Sequence, residues 1–227
     1  MNFSEHYTTL YRMAVSQIES DQYKQDHLID SPLDKRFGIT LLLRPPKETT
    51  YNIQNLLSDL KEINPSQYYY PNSDIHITVM SIISCYDGFS IEKISVPEYV
   101  HLVKRSLQGI GKFKISFKGI TAAASGVMIQ GFPEQETLNS LRNNLRINFK
   151  SSDLEQTIDK RYSIQTAHST VVRFRHKLNE KDNFLKVLQN YRKHDFGSFE
   201  VQELELVYND WYQREENTKL LKKFILK

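Results

Sequence analysis

Cysteine is nearly missing: the single Cys85 has no partner for an internal disulfide, and its surroundings, Ile-Ser-Cys-Tyr-Asp, offer no second thiol to a metal. That suits a reducing, cytoplasmic setting. Long apolar runs are missing too. The longest, Ile39 to Leu43, is strand-sized and far below the roughly 20 residues that cross a bilayer, so a helical membrane protein is excluded. Residues 1 to 30 contain neither a basic start followed by an apolar stretch nor a small-residue cleavage site, and no secretory signal is expected. Charge of one sign is also scarce: 30 basic against 27 acidic residues leave a net charge of +3. This is compatible with a phosphate-bearing ligand but well short of the basic stripe that grips long duplex nucleic acid. A short or small ligand follows. No short-period repeat or low-complexity segment breaks the chain.

What is present reads as alternating helices and strands. Phe3, Tyr7, Leu10, Tyr11, Ala14 and Ile18 recur at spacings of three and four, which predicts an amphipathic helix over 3–18. A connector over 20–35 leads to a strand over 36–43, stopped by Pro45-Pro46 because proline cannot donate to a ladder. Further helices are expected over 51–63, 97–110, 136–149 and 181–191. Further strands are expected over 75–83, 113–118, 127–130, 167–175 and 199–208, the last with a bulge where its apolar parity changes between Val201 and Leu204. Lys112, Lys114 and Lys118 alternate with apolar residues and read as a solvated face. The order strand, helix, strand, helix occurs once in each half, which predicts two similar lobes around one site.

Two tetrapeptides carry the chemistry. His76-Ile77-Thr78-Val79 and His168-Ser169-Thr170-Val171 have the same form and fall in the strands expected over 75–83 and 167–175, one per half. Side chains alternate along a strand, so each tetrapeptide presents an imidazole and a hydroxyl to one surface. Two such strands side by side would give two groups able to exchange protons near neutral pH and two hydroxyls able to hold an anion. That equipment suits a phosphate ester. The bland alternative makes His76 and His168 structural histidines with satisfied hydrogen bonds. A metal site would need a third or fourth ligand, for which Asp74 is the nearest candidate.

On these two motifs the chain resembles the 2H phosphoesterase superfamily, which includes bacterial 2'-5' RNA ligase-like proteins and cyclic nucleotide phosphodiesterases. The first motif fits the superfamily's histidine, apolar, threonine or serine, apolar pattern; the second departs at Ser169. The resemblance spans about residues 36–210. It implies an α+β fold of two pseudo-symmetric lobes, with antiparallel sheets flanked by helices around a central cleft, and leaves 1–35 as a helical extension to a domain over 36–227. It further implies that His76 and His168 are general acid and base, and that Thr78 and Thr170 hold the phosphate. The substrate would be a 2',3'-cyclic phosphate or a 2'-5' linked RNA or nucleotide, with ligation as the reverse reaction. Neither cofactor nor metal is required, and a monomer is expected. Arg173 resembles an arginine of some ligase-like members, though strict alternation puts it opposite Thr170. Phe37 and Tyr70 could stack on a base. His6, His27, His101, His176 and His194 read as surface residues. Two other readings stand beside the enzyme: a module that binds a nucleotide or RNA end without turnover, and an interaction domain docking through its first helix.

Overall fold

A computed structural model describes residues 2–227. Its elements are α1 (Phe3–Glu19), β1 (Arg36–Leu43), α2 (Lys47–Ile63), β2 (Tyr68–Tyr69), β3 (Ile77–Asp87), α3 (Val96–Ser106), β4 (Phe113–Ala123), β5 (Gly126–Pro133), α4 (Thr137–Lys150), β6 (Ser169–Arg173), α5 (Lys181–Asn190), β7 (Asp195–Val201), β8 (Glu203–Asp210) and β9 (Lys219–Ile225). They form two antiparallel sheets, one in the order β3-β1-β8-β9 and the other β2-β6-β5-β4-β7. The fold is α+β with two lobes, as expected. The lobes are not the two halves of the sequence, however: β2 joins the second sheet and the C-terminal pair β8 and β9 completes the first.

The unit β1-α2-β3 of the first sheet has a counterpart in β5-α4-β6 of the second, and the two exchange helices. The stripe Ile53, Leu56, Leu57 and Leu60 of α2 is buried, and the helix packs against β7 and α5 of the opposite lobe. The stripe Leu138, Leu141, Arg142, Leu145 and Phe149 of α4 is buried likewise, and that helix packs on α3 and β3. An apolar face on a helix must be covered by another element, and here each covering element belongs to the other lobe. The cleft between the lobes is thereby fixed from both sides.

Two expectations about the C-terminal region need correction. The strand over 199–208 is two strands in different sheets. The parity change at Gln202 marks a crossing from sheet to sheet rather than a bulge, and the Gln202 carbonyl accepts from Leu226 N–H (2.8 Å). That strand is also not the last. Strand β9 escapes the alternation rule because it is a sheet edge, where of its seven residues only Phe224 is buried. The first helix, for its part, packs closely on the rest of the chain: Tyr7, Ala14 and Ile18 are buried, and the helix lies on β4, with Thr121 Oγ1 donating to the Tyr7 carbonyl (2.9 Å).

Candidate active site

His76 stands at the entry to β3 and His168 at the entry to β6, and both line one cleft of about 120 Å³ together with Thr78, Thr170, Arg173 and Tyr70. Each imidazole is anchored through Nδ1. That of His76 lies 2.7 Å from the Asp74 carbonyl. A carbonyl can only accept, so Nδ1 carries the proton and Nε2 is left as the free lone pair. That of His168 lies 2.7 Å from Thr166 Oγ1, a partner that serves either tautomer. Burial is the largest influence on both rings and pushes each down to about 4. The Asp74 carbonyl partly offsets this at His76, while Arg44, His168 and Arg173 add to it. At His168, Arg142, Arg173 and His6 add to it in that order. The cleft therefore holds two neutral imidazoles among fixed positive charge, an arrangement that an entering anion relieves.

Both motif strands carry a one-residue bulge at the same place. Met80 faces Leu41 and Thr78 faces Leu42, so Val79 is the extra residue of β3. Thr170 faces Met128 and Val172 faces Val127, so Val171 is the extra residue of β6. A bulge resets side-chain parity. This brings Arg173 to the same cleft as Thr170, against strict alternation. Glycines let β5 follow the bulged strand: a Cβ on Gly126 would collide with the Val172 carbonyl, and one on Gly131 with the Ala167 carbonyl.

Arg173 is held by three elements. Its Nε donates to the Tyr70 hydroxyl (3.0 Å), its Nη1 faces Asp26 of the 20–35 connector (3.9 Å), and its guanidinium lies over the Tyr212 ring (5.5 Å to the centroid). Tyr70 is 1% exposed and its hydroxyl accepts from Arg173, so it is placed to hold Arg173 rather than to stack on a base. Phe37 is not brought to the cleft. It alternates with Thr40, which does line it, and its ring stacks on Tyr208 at 4.9 Å on the other face of the sheet. The Asp74 carboxylate is turned away as well, accepting from Ser73 Oγ (2.8 Å) and Glu215 N–H (3.0 Å). His27, His101, His176 and His194 are exposed, whereas His6 is half-buried and its charge bears on His168.

Several residues that line the cleft escaped the sequence reading: Thr40, Ser81, Asn209, Gln213, Arg161 and Trp211. Thr40 was legible as the one polar residue in the run Ile39 to Leu43. The ring of Trp211, the only tryptophan, meets the guanidiniums of both Arg36 (4.7 Å) and Arg161 (4.8 Å), which come from distant segments that no local pattern joins. A larger hollow of about 710 Å³ lies between α3 and the β9 edge, lined by lysines and apolar groups without a paired acid and base. The two motif imidazoles are in the smaller cleft.

The model of the AKAP7 2'5' RNA ligase-like domain family matches residues 45–218. No curated protein matches the sequence. The fold is similar to TT0787 of Thermus thermophilus, with a TM-score of 0.56 and 16% identity over 83% of this chain and 97% of that chain. It is similar to a phosphoesterase, with a TM-score of 0.57 and 14% identity over 85% and 99%. It is also similar to E. coli LigT complexed with 3'-AMP, with a TM-score of 0.55 and 13% identity over 85% and 98%.

Proposed function

Because the chain belongs to the AKAP7 2'5' RNA ligase-like domain family, within the 2H phosphoesterase superfamily, we propose that it is a phosphodiesterase acting on 2',3'-cyclic phosphates or 2'-5' linked RNA or nucleotides. The observation that carries this reading is the pair of Nδ1-anchored imidazoles, His76 and His168, opening on one cleft with Thr78, Thr170 and Arg173. The bound 3'-AMP of LigT supports a nucleotide as the class of ligand.

In hydrolysis, water adds to phosphorus as the bond from phosphorus to the departing ribose oxygen breaks. One imidazole takes the proton from water and the other gives its proton to the leaving oxygen, so one must enter neutral and the other charged. Two imidazoles held low by burial and by Arg173 meet this condition once a phosphate anion is seated, since the anion favours the charged form of the nearer ring. Thr78 and Thr170 donate to the non-bridging oxygens, and Arg173 faces the charge that grows there in the transition state. One imidazole receives a proton, the other supplies one, and charge is met by hydroxyls and a guanidinium, so no step calls for a metal.

The test is hydrolysis of a panel of 2',3'-cyclic nucleotides and 2'-5' linked adenylates with EDTA present, comparing wild type with His76→Ala and His168→Ala. Loss of about a hundredfold or more in each variant is the expected result. Absence of turnover alongside retained 3'-AMP binding would transfer the site to the binding-module reading.

A further inference from the structure

The two motif strands are supported unequally. Beside β6 runs β2, the segment that leads into the first motif: Tyr68 and Tyr69 pair with Arg173 and Val172, and Tyr70 N–H donates to the carbonyl of the bulged Val171 (3.0 Å). The matching place beside β3, where the segment leading into the second motif should run, has no paired strand among the described residues, and β3 is a sheet edge. The carbonyls of Thr78 and of the bulged Val79 would be orphaned there, deep in the molecule. A side chain meets them instead. Arg142 of α4, 1% exposed, donates from Nε to the Val79 carbonyl (3.0 Å) and from Nη2 to the Thr78 carbonyl (3.0 Å). The same guanidinium donates to the segment before the second motif, from Nη1 to the Gln165 carbonyl (2.9 Å) and from Nη2 to the Thr166 carbonyl (2.9 Å). Thr166 in turn holds the His168 ring through its hydroxyl.

We propose that Arg142 is a positioning residue of the cleft: its planar guanidinium replaces the strand that pseudo-symmetry would place beside β3, and by joining the two motif segments it sets the two imidazoles against each other. The inference rests on the two-histidine reading above. The planar fork is what the job requires, since its donors reach four carbonyls on two sides at once, which a lysine ammonium with three tetrahedral donors cannot. Keeping a guanidinium in such surroundings is costly, and burial pulls it down to about 10, so it stays charged at neutral pH. That charge is the largest of those acting on His168; Arg173 of the same strand and His6 of α1 act in the same direction, and His76 faces His168 across the cleft.

The test compares wild type with Arg142→Lys, which keeps the charge and loses the fork, and Arg142→Gln, which loses both. Turnover of the cyclic nucleotide panel is read as kcat and KM, and His168 is titrated by NMR. Both variants should lose about a hundredfold in kcat with KM little changed, as expected for misplacement of reacting groups by about an ångström. The His168 titration should move up in Arg142→Gln and stay in place in Arg142→Lys. A general loss of stability would not produce that split. Folded variants with wild-type kcat, a loss confined to KM, or identical His168 titrations in all three proteins would overturn the proposal, as would failure of both variants to fold, which would make Arg142 a core residue alone. If wild type turns nothing over, the hydrolytic reading fails by itself, and the titration, repeated with 3'-AMP bound, still decides the role of Arg142.

Discussion

Acidification should unfold this protein through its two cleft histidines, and the size of the effect follows from their surroundings. Both rings are held near 4 in the folded chain, chiefly by burial, against about 6.5 in an unfolded one. Between those values the unfolded state binds more protons, so stability is full above about pH 6.5 and falls as pH falls toward 4. At pH 4.5 each ring costs about 2.5 kcal/mol, and the pair about 5 kcal/mol, at about 1.4 kcal/mol per unit of difference. That is a large share of the roughly 5–15 kcal/mol that holds a domain together. Urea unfolding at pH 7, 5.5 and 4.5 on wild type and on His76→Gln with His168→Gln isolates the effect, because carboxylates titrate alike in both proteins. The wild type should lose several kcal/mol more than the double variant over this range. Parallel losses would refute the account of the cleft as a desolvated, positively charged pocket. Inorganic phosphate should narrow the gap, since an anion between the rings favours their charged forms.

Other substitutions probe the supports of the site. Tyr70→Phe removes the hydroxyl that holds Arg173 Nε and should lower kcat/KM about tenfold while leaving circular dichroism and the unfolding midpoint near wild type. Deleting Val171 removes the extra residue of β6 and leaves Arg173 two places after Thr170 in regular alternation, on the same face; the variant should keep activity well above that of Arg173→Ala, and activity as low as that of Arg173→Ala would mean that strand parity does not aim the arginine. Ser169→Ala should stabilise the protein by about 1–2 kcal/mol in thermal unfolding, because the Ser169 hydroxyl is fully buried and finds no hydrogen-bond partner among the described residues.

The elements were legible because their patterns are local. Strand β1 was bounded at 36–43 by two prolines and an apolar run, and α1, α4 and α5 by spacings of three and four. The pairing of the two motifs was legible because each repeats the same face chemistry on one strand. Lobe membership was not, since β2, β8 and β9 change sides through contacts between residues distant in sequence. The first helix reads as an extension because its own stripe ends at Ile18. Its burial depends on β4, and the Tyr7 hydroxyl exchanges hydrogen bonds with Gly131, donating to its carbonyl (3.2 Å) and accepting from its N–H (3.3 Å).

The site itself divides along the same line. His76, Thr78, His168 and Thr170 follow from a period of two, which holds over the first three residues of each motif. Arg173 does not, because period two fails at a bulge, and nothing in Thr170-Val171-Val172-Arg173 announces which residue is extra. Arg142 left one trace: it occupies a position in the apolar stripe Leu138, Leu141, Leu145 and Phe149, where a charge is otherwise penalised. A charged residue on the buried face of a helix must have partners waiting for it. Here the partners are the backbone carbonyls of two segments, and carbonyls carry no sequence signal at all. Recognising such a residue therefore means asking which backbone groups a sheet edge would leave unpaired, a question that arises only once β3 is known to be an edge.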